Sequence, residues 1–520
     1  MASAAQSPGA AAGGEEQTTF TGARLVLAGF VLAMANFIVV LDTTIANVSV
    51  PHIAGGLAVS TSSGTWVITS YAVAEAICVP LTGWLANRFG TLRVFLVSLI
   101  GFGVFSALCG ISNSLSMLVV FRLGQGFAGG PLMPLTQTLL LRIFPKESHS
   151  KAMALWAMTV VVAPIAGPIL GGYISDNWSW PWIFFINLPI IAVIFFATAT
   201  LMRGTETPTQ KLPIDRIGLI LLVIWVGAFQ MMLDLGGEED WFSSEKIVAL
   251  ALIAAIFFAI FLIWELTEEH PIVDLKVFRH RGFTAATFSL MIAFGTYFAS
   301  IVVIPQWLQT SLGYTATDAG YAMAFSGVFA LLISPLVPRL MTKIDPRMLV
   351  FLGIAWIGVV AGLRAIWWSS ESTFWTLALP QLLQGAGVAL FIVPLTTISL
   401  GSVEPREVAS AAGIANFGRT LAGAVATALI TTLWSDLSRK DTAEMVANLN
   451  GSERVMGQLQ AQGLSLEQAR AALSQIVGQQ GTALATTHLF AIAGVLLFVA
   501  AATIWLAPRP SRSAPPTVGH

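Results

Sequence analysis

Long apolar runs, each ended by a polar or charged loop, organise this chain. A helix needs about 20 apolar residues to cross the hydrocarbon core of a bilayer. Runs of that kind are read near 25–50, 65–86, 94–112, 116–140, 152–175, 182–201 and 217–235, then 246–266, 283–308, 317–340, 348–368, 374–400, 407–434 and 486–506. They are continuous, not alternating, and far longer than about 10 residues, which excludes barrel strands. The expected fold is an all-α integral membrane protein with 14 transmembrane helices.

The charges test that count. With the N-terminus in the cytoplasm, 18 of the 26 Lys and Arg fall on that side and five outside, while Arg122, Arg364 and Arg419 lie within spans. One missed span would invert every later loop and erase this bias, which the positive-inside rule demands. Both termini are therefore expected inside. Composition agrees: 56% of the 520 residues are hydrophobic and 10% are charged, against about 25% charged in soluble domains. A net charge of −1 without a basic patch excludes a nucleic-acid binder, and the apolar content excludes disorder. Cys78 and Cys109 fall in apolar runs and read as packing residues. The polar start of the chain lacks the positive region and cleavage site of a signal peptide.

A weak repeat divides the chain. Pro80-Leu81, Leu85 and Arg88 ahead of Arg93 recur as Pro335-Leu336, Leu340 and Lys343 ahead of Arg347. Gln125-Gly126 with Pro134-Leu135-Thr136 recurs as Gln384-Gly385 with Pro394-Leu395-Thr396. Both matches are offset by eight spans, as two six-helix halves around an inserted two-helix hairpin would give. The expected organisation is a cytoplasmic tail (1–24), an N-terminal half (25–201), the inserted pair (217–266), a C-terminal half (283–506) and a cytoplasmic tail (507–520). Such paired halves, with a site between them near the midplane, mark secondary transporters. No phosphate-binding loop, HExxH, paired CxxC or GxSxG motif occurs. No enzyme, cofactor or metal is expected.

Several stretches resemble the major facilitator superfamily, fourteen-span drug:proton antiporter branch. Gly83 to Arg93 resembles its loop 2–3 signature, with Arg88, Gly90 and Arg93 in place, Asn87 where the family usually has Asp, and Thr91 where a basic residue is common. Phe121-Arg122-x-Gly-Gln125-Gly126 is similar to the span 4 motif, and Ala163 to Gly172 to the span 5 antiporter motif. Leu41-Asp42-Thr43-Thr44-Ile45-Ala46-Asn47-Val48 matches the span 1 motif of the branch. Gly64–Ser70, Trp182–Pro189, Asp240–Ser244, Pro271–Leu275 and Asn416–Gly423 resemble the EmrB type. The resemblance implies proton-driven export of hydrophobic or amphiphilic drugs across a bacterial inner membrane. It also implies a periplasmic membrane-fusion adaptor of the EmrA type and an outer-membrane channel of the TolC type. The alternatives are an exporter of one compound class, such as a fatty acid or a siderophore, and a non-transporting membrane receptor.

Charges inside a membrane need partners or a wet cavity, because each costs at least about 2.5–3.5 kcal/mol near the bilayer centre. Asp42, Glu75 and Arg122 fall at similar depth in the outer part of the first half, as a proton site tuned by a fixed cation. The alternative there is a static salt bridge. Taken with Arg364 and Arg419, these charges leave a net positive interior once the acids are protonated, which favours acidic or neutral amphiphiles. Gly83, Arg88, Gly90, Arg93, Gly167, Pro168, Gly171 and Gly172 are read as gating positions, the last four as a hinge between the halves. Asn47, Gln125, Asn416 and Arg419 are read as lining the substrate cavity. Arg364 is close enough to a span end to snorkel. Residues 435–485 form a long periplasmic loop. Within it Ser465 and Gln468 make a capping box, and Leu466, Ala469, Leu473, Ile476 and Val477 share a helical stripe. The stripe would meet an adaptor or fold over the protein's own mouth.

Overall fold

A computed structural model describes residues 20–211, 213–448 and 452–509. Residues 1–19 and 510–520 of the two expected tails, Arg512 among them, lie outside the described residues. The described residues are helical, with no strand among them. The first half opens with α1 (Gly22–Gly56), α2 (Thr61–Gly64), α3 (Trp66–Cys78) and α4 (Thr82–Phe89). It continues through α5 (Thr91–Gly110), α6 (Leu115–Gly129), α7 (Leu132–Ile143), α8 (His149–Asn177), α9 (Trp182–Phe185) and α10 (Asn187–Leu201). Next come α11 (Arg216–Gly236) and α12 (Glu245–Thr267), packed on each other. The remainder holds α13 (Arg281–Ser311), α14 (Ala316–Ile333), α15 (Val337–Met341) and α16 (Pro346–Trp367). It closes with α17 (Phe374–Gly401), α18 (Val408–Ala447), α19 (Ser452–Ala461) and α20 (Leu466–Thr503).

Among the described residues, 12 helical segments are long and apolar enough to cross a membrane. The other two expected spans, 116–140 and 317–340, are helical but interrupted. Gly130-Pro131 separates α6 from α7, and Ser334-Pro335 separates α14 from α15. Proline has no N–H for the helical ladder and crowds the preceding turn. Pro80 stands in a short 3₁₀ turn, Val79–Leu81, between α3 and α4. Pro80 and Pro335, paired by the repeat, thus interrupt their helices at matching places. Gly90 ends α4 with φ +95°, a backbone that strains residues with a Cβ.

One expectation is corrected outright. Among the described residues, 435–485 are largely helical and not loop: α18 runs on to Ala447, α19 spans Ser452–Ala461 and α20 starts at Leu466. Trp434 Nε1 donates to Thr486 Oγ1 at 2.9 Å, and the Ser438 and Thr482 hydroxyls lie 2.7 Å apart, tying the two long helices together. The Ser465–Gln468 capping box is formed in both directions, at 3.2 and 2.9 Å. Ala469 and Val477 of the stripe are buried by the chain itself, while Leu466 and Ile476 stay exposed.

The halves meet along two seams. On one, α8 lies against α14, α15 and α17; on the other, α18 lies against α4, α7 and the turn at Val79–Leu81. Helix α11 leans on both α3 and α18, so the α11–α12 pair touches both halves.

Candidate functional site

Three helices of the first half converge on one carboxylate. Asp42, on α1, is 2% exposed, and Arg122, on α6, is fully buried. Arg122 Nη1 donates to Asp42 Oδ2 at 2.7 Å. Gln125 Nε2 donates to Asp42 Oδ1 at 3.0 Å, and Asn187 Nδ2, on α10, donates to the same oxygen at 2.6 Å. Arg122 is itself held: Nε donates to the Val67 carbonyl at 3.0 Å and Nη1 to Gln125 Oε1 at 2.8 Å. Its guanidinium lies 4.2 Å from the centre of the Tyr71 ring, a favourable cation–π placement. Burying two charges is costly unless geometry and extra hydrogen bonds compensate. Here the Gln and Asn amides supply those bonds, and both carboxylate oxygens are occupied.

Glu75, expected beside this pair, is half-buried on α3, and its side chain makes no hydrogen bond or ion pair among the described residues. Its electrostatic partners are Arg419 of the second half and Arg122. Arg419 crosses the seam between halves, donating to Met133 Sδ on α7 and to Asn416 Oδ1 at 3.2 Å. Asn416 Nδ2 in turn donates to Gln137 Oε1 on α7 at 2.6 Å. Phe294 and Trp156 present their rings to the Arg419 guanidinium at 4.9 and 5.7 Å.

Several site expectations change. Gln125 is not a cavity wall; it is fully buried as the bridge between Asp42 and Arg122. Asn416 and Arg419 are buried at the contact between halves rather than standing free. Asn47 is exposed on α1. Arg364 does not snorkel: it is 1% exposed, donates to Gln381 Oε1 at 2.8 Å and lies against the Trp368 and Phe490 rings. The inventory of interior charges also omitted Glu265, which is buried near the end of α12 and accepts from the Val273 N–H at 3.1 Å.

The gating positions divide. A Cβ on Gly83 would collide with Ser410 of α18, so this glycine permits close contact between the halves. Gly167 and Gly171 face α1, against Thr44 and Ile45, within their own half. The side of α8 that meets α14 is made by Ile165 and Ile169, and Gly172 has open space beside it. Pro168 sits inside an unbroken α8. The expected hinge between halves is therefore a tight α1–α8 contact. Arg88 lies over the Trp84 and Phe89 rings. Glu206, from the segment after α10, accepts from the backbone N–H groups of Leu92 and Arg93 at 3.0 and 2.9 Å, with Arg93 Nε 3.8 Å away. It places an anion at the N-terminus of α5, where helix dipoles favour one.

Sequence reading missed Asn187, Gln137 and Glu206. Asn187 had a signal, being the lone amide in the apolar Trp182–Pro189 stretch. Glu206 had none, since Leu92 and Arg93, whose N–H groups it caps, are more than a hundred residues away.

Two helical halves with buried charges at and beside their contact define a membrane transporter fold. The model of the Major Facilitator Superfamily matches residues 32–427, and the chain belongs to that superfamily, within its EmrB-type branch. Multidrug export protein EmrB of Escherichia coli (strain K12) is 44% identical over 500 residues, 95% of this chain and 98% of that protein. Fatty acid resistance protein FarB of Neisseria gonorrhoeae is 42% identical over 496 residues, again 95% and 98%. Among solved structures, the proton:xylose symporter XylE matches with a TM-score of 0.59 at 13% identity, covering 94% of this chain and 97% of that one, a likeness of fold alone.

Proposed function

We propose that this chain is the pump subunit of a proton-driven exporter of hydrophobic and amphiphilic drugs. It crosses a bacterial inner membrane 14 times, the α11–α12 pair being the inserted hairpin, with both termini in the cytoplasm. A periplasmic adaptor and an outer-membrane channel complete the route. The buried Asp42–Arg122–Gln125–Asn187 cluster carries the proton-coupling part of this reading. A carboxylate so enclosed is retained at a cost that packing alone does not require.

Protons and substrate compete for one interior. Burial favours the neutral acid and a neighbouring arginine favours the ion, so relative motion of the halves changes which form is preferred. Asp42 accepts hydrogen bonds from Arg122, Gln125 and Asn187 in this conformation. Glu75, whose side chain makes no hydrogen bond among the described residues, is the second acid of the set. The close Gly83–Ser410 contact is, on this reading, the cytoplasmic gate.

The near-equal identity to FarB favours, as a second reading, a substrate range that includes fatty acids. The deciding measurement is drug accumulation and resistance in cells expressing the chain, with and without a proton-collapsing agent. Expression should lower accumulation only while the gradient stands. Equal accumulation in both conditions and in empty cells removes the transport reading. For the site, proton release on substrate binding to purified protein should stop in Asp42→Asn while binding survives. A variant that releases as many protons as the parent and still pumps makes Asp42 structural.

A further inference from the structure

Two pockets lie one beyond the other along helices α13, α18 and α20. The lower chamber, about 250 Å³, is walled by Val303, Ala426, Leu429, Phe490, Ala493 and Leu496. Its two nearby hydroxyls are spent on their own helix: Thr296 donates to the Ile292 carbonyl at 2.9 Å and Ser300 to the Thr296 carbonyl at 3.2 Å. The chamber therefore offers only apolar surface, and Leu429 and Leu496 on its rim are exposed.

The upper chamber, about 450 Å³, continues along the same three helices toward the end where α18 and α20 outrun α13. It is lined by Trp434, Ser435, Arg439, Gln475 and Gln479 among others. The side chains of Ser435, Gln475 and Gln479 make no hydrogen bond among the described residues. From Leu429 to Ser438 is nine residues of α18, or about 14 Å at 1.5 Å per residue. The cleft thus changes from wholly apolar to polar and cationic over the length of part of an acyl chain, with a Trp at the transition. Tryptophan concentrates at that level of a bilayer.

We propose that this cleft holds one anionic phospholipid of the adjacent leaflet, with one acyl chain in the lower chamber and its phosphate at Arg439. The lower chamber falls below the roughly 300–1,000 Å³ of pockets that enclose drug-sized molecules, and takes a single chain while the second stays in the bilayer. Arg439 matches the phosphate by charge and forked geometry, as basic pockets between transmembrane helices do for lipid headgroups. Its present partner is Asp436, three residues away and exposed like Arg439 itself. Such exposed pairs are weak, about 0–1 kcal/mol, and give way to a phosphate. The site stands apart from the proton cluster and does not depend on the transport reading.

The experiment is native mass spectrometry on the full chain, delipidated and then offered phosphatidylglycerol, phosphatidylethanolamine or oleate at equal concentration. The parent should retain one phosphatidylglycerol in preference to phosphatidylethanolamine. Arg439→Gln, at an exposed position, should cut retention of phosphatidylglycerol about tenfold, the loss of one charge-assisted hydrogen bond. Leu429→Trp and, independently, Ser300→Leu fill the lower chamber and should abolish retention of either phospholipid. Equal retention of the two phospholipids by the parent, or undiminished retention by all three variants, overturns the site. Oleate bound in place of phosphatidylglycerol, and lost in the same variants, overturns the occupant.

Discussion

The two halves share a topology and a weak repeat, yet they handle buried charge in opposite ways. In the first half Arg122 meets Asp42 at 2.7 Å, and two amides complete the carboxylate's hydrogen bonds. The cluster is neutral within its own half. In the second half Arg364 and Arg419 are buried with no carboxylate within ion-pair distance among the described residues. Arg364 is held by an amide and two rings, and Arg419 borrows sulfur and aromatic faces, some of them from the first half. A self-neutralised half can be rigid. A half with uncompensated cations is sensitive to whatever negative charge approaches the seam.

The largest effect should come from breaking the neutral cluster. Arg122→Ala leaves the Asp42 carboxylate buried and alone, a loss of about 3–5 kcal/mol for such pairs, seen as a large fall in the thermal stability of purified protein. Adding Asp42→Asn to it should recover much of that loss, because the orphaned charge is gone. If Arg122→Ala melts with the parent, the cluster is not the rigid element of its half.

Glu75→Gln separates coupling from folding. No hydrogen bond is lost, so stability should move by less than about 1 kcal/mol, while proton release on substrate binding falls and export stops. Arg419→Gln should restore neither. A Glu75→Gln protein that pumps normally removes the seam charge from the mechanism and leaves Asp42 alone in it.

These tests show which parts were legible in the sequence. The all-helical fold follows from local chemistry, the length of each apolar run, whereas the expected spans 116–140 and 317–340 are interrupted at prolines that lack an N–H for the helical ladder. The Asp42–Arg122 pairing was legible because two opposite charges at one depth have few other partners. Gln125 was misread as a cavity wall because polarity alone does not tell an inward bridge from a surface. The hinge assigned to Gly167 and Gly171 failed for a related reason. Small residues announce a close approach but not which helix approaches, and here it is α1.

The two seams should also respond unequally. At Gly83 an added side chain would meet the backbone of Ser410 as well as its hydroxyl. At Gly327 it would meet only the end of the Ile165 side chain, 2.6 Å away. Gly83→Val should therefore cost about 1–3 kcal/mol, as overpacking does, and raise labelling of a cysteine placed on α4 from the Gly90 side. Gly327→Ala should be absorbed by a rotation of Ile165. Equal labelling in the two variants would mean that the α4–α18 contact is not a gate.

The smallest effect compares the loops that the repeat makes equivalent. The N-terminus of α5 is capped by Glu206, distant in sequence, whereas that of α16 is capped by its own Asp345. Asp345 accepts from the Arg347 N–H and pairs with its guanidinium, each at 2.9 Å. The hydrogen bond from the Arg347 side chain holds the Asp345 carboxyl below the usual carboxylate range. A folded value below the unfolded one means the folded state binds its proton more weakly. The stabilisation is therefore complete above the ordinary Asp value of about 3.9 and is lost as pH falls through the lowered one. The pair is partly exposed, so water screens it and Asp345→Asn should cost less than about 1 kcal/mol at neutral pH. Glu206→Gln should cost more, because it loosens a tie between distant segments as well as a cap. Thermal melts of both variants and the parent, from neutral pH down to about pH 3, test the pair. The Asp345→Asn curve should converge on the parent's at the acid end, and a gap that persists there would show that Asp345 acts through shape and not charge.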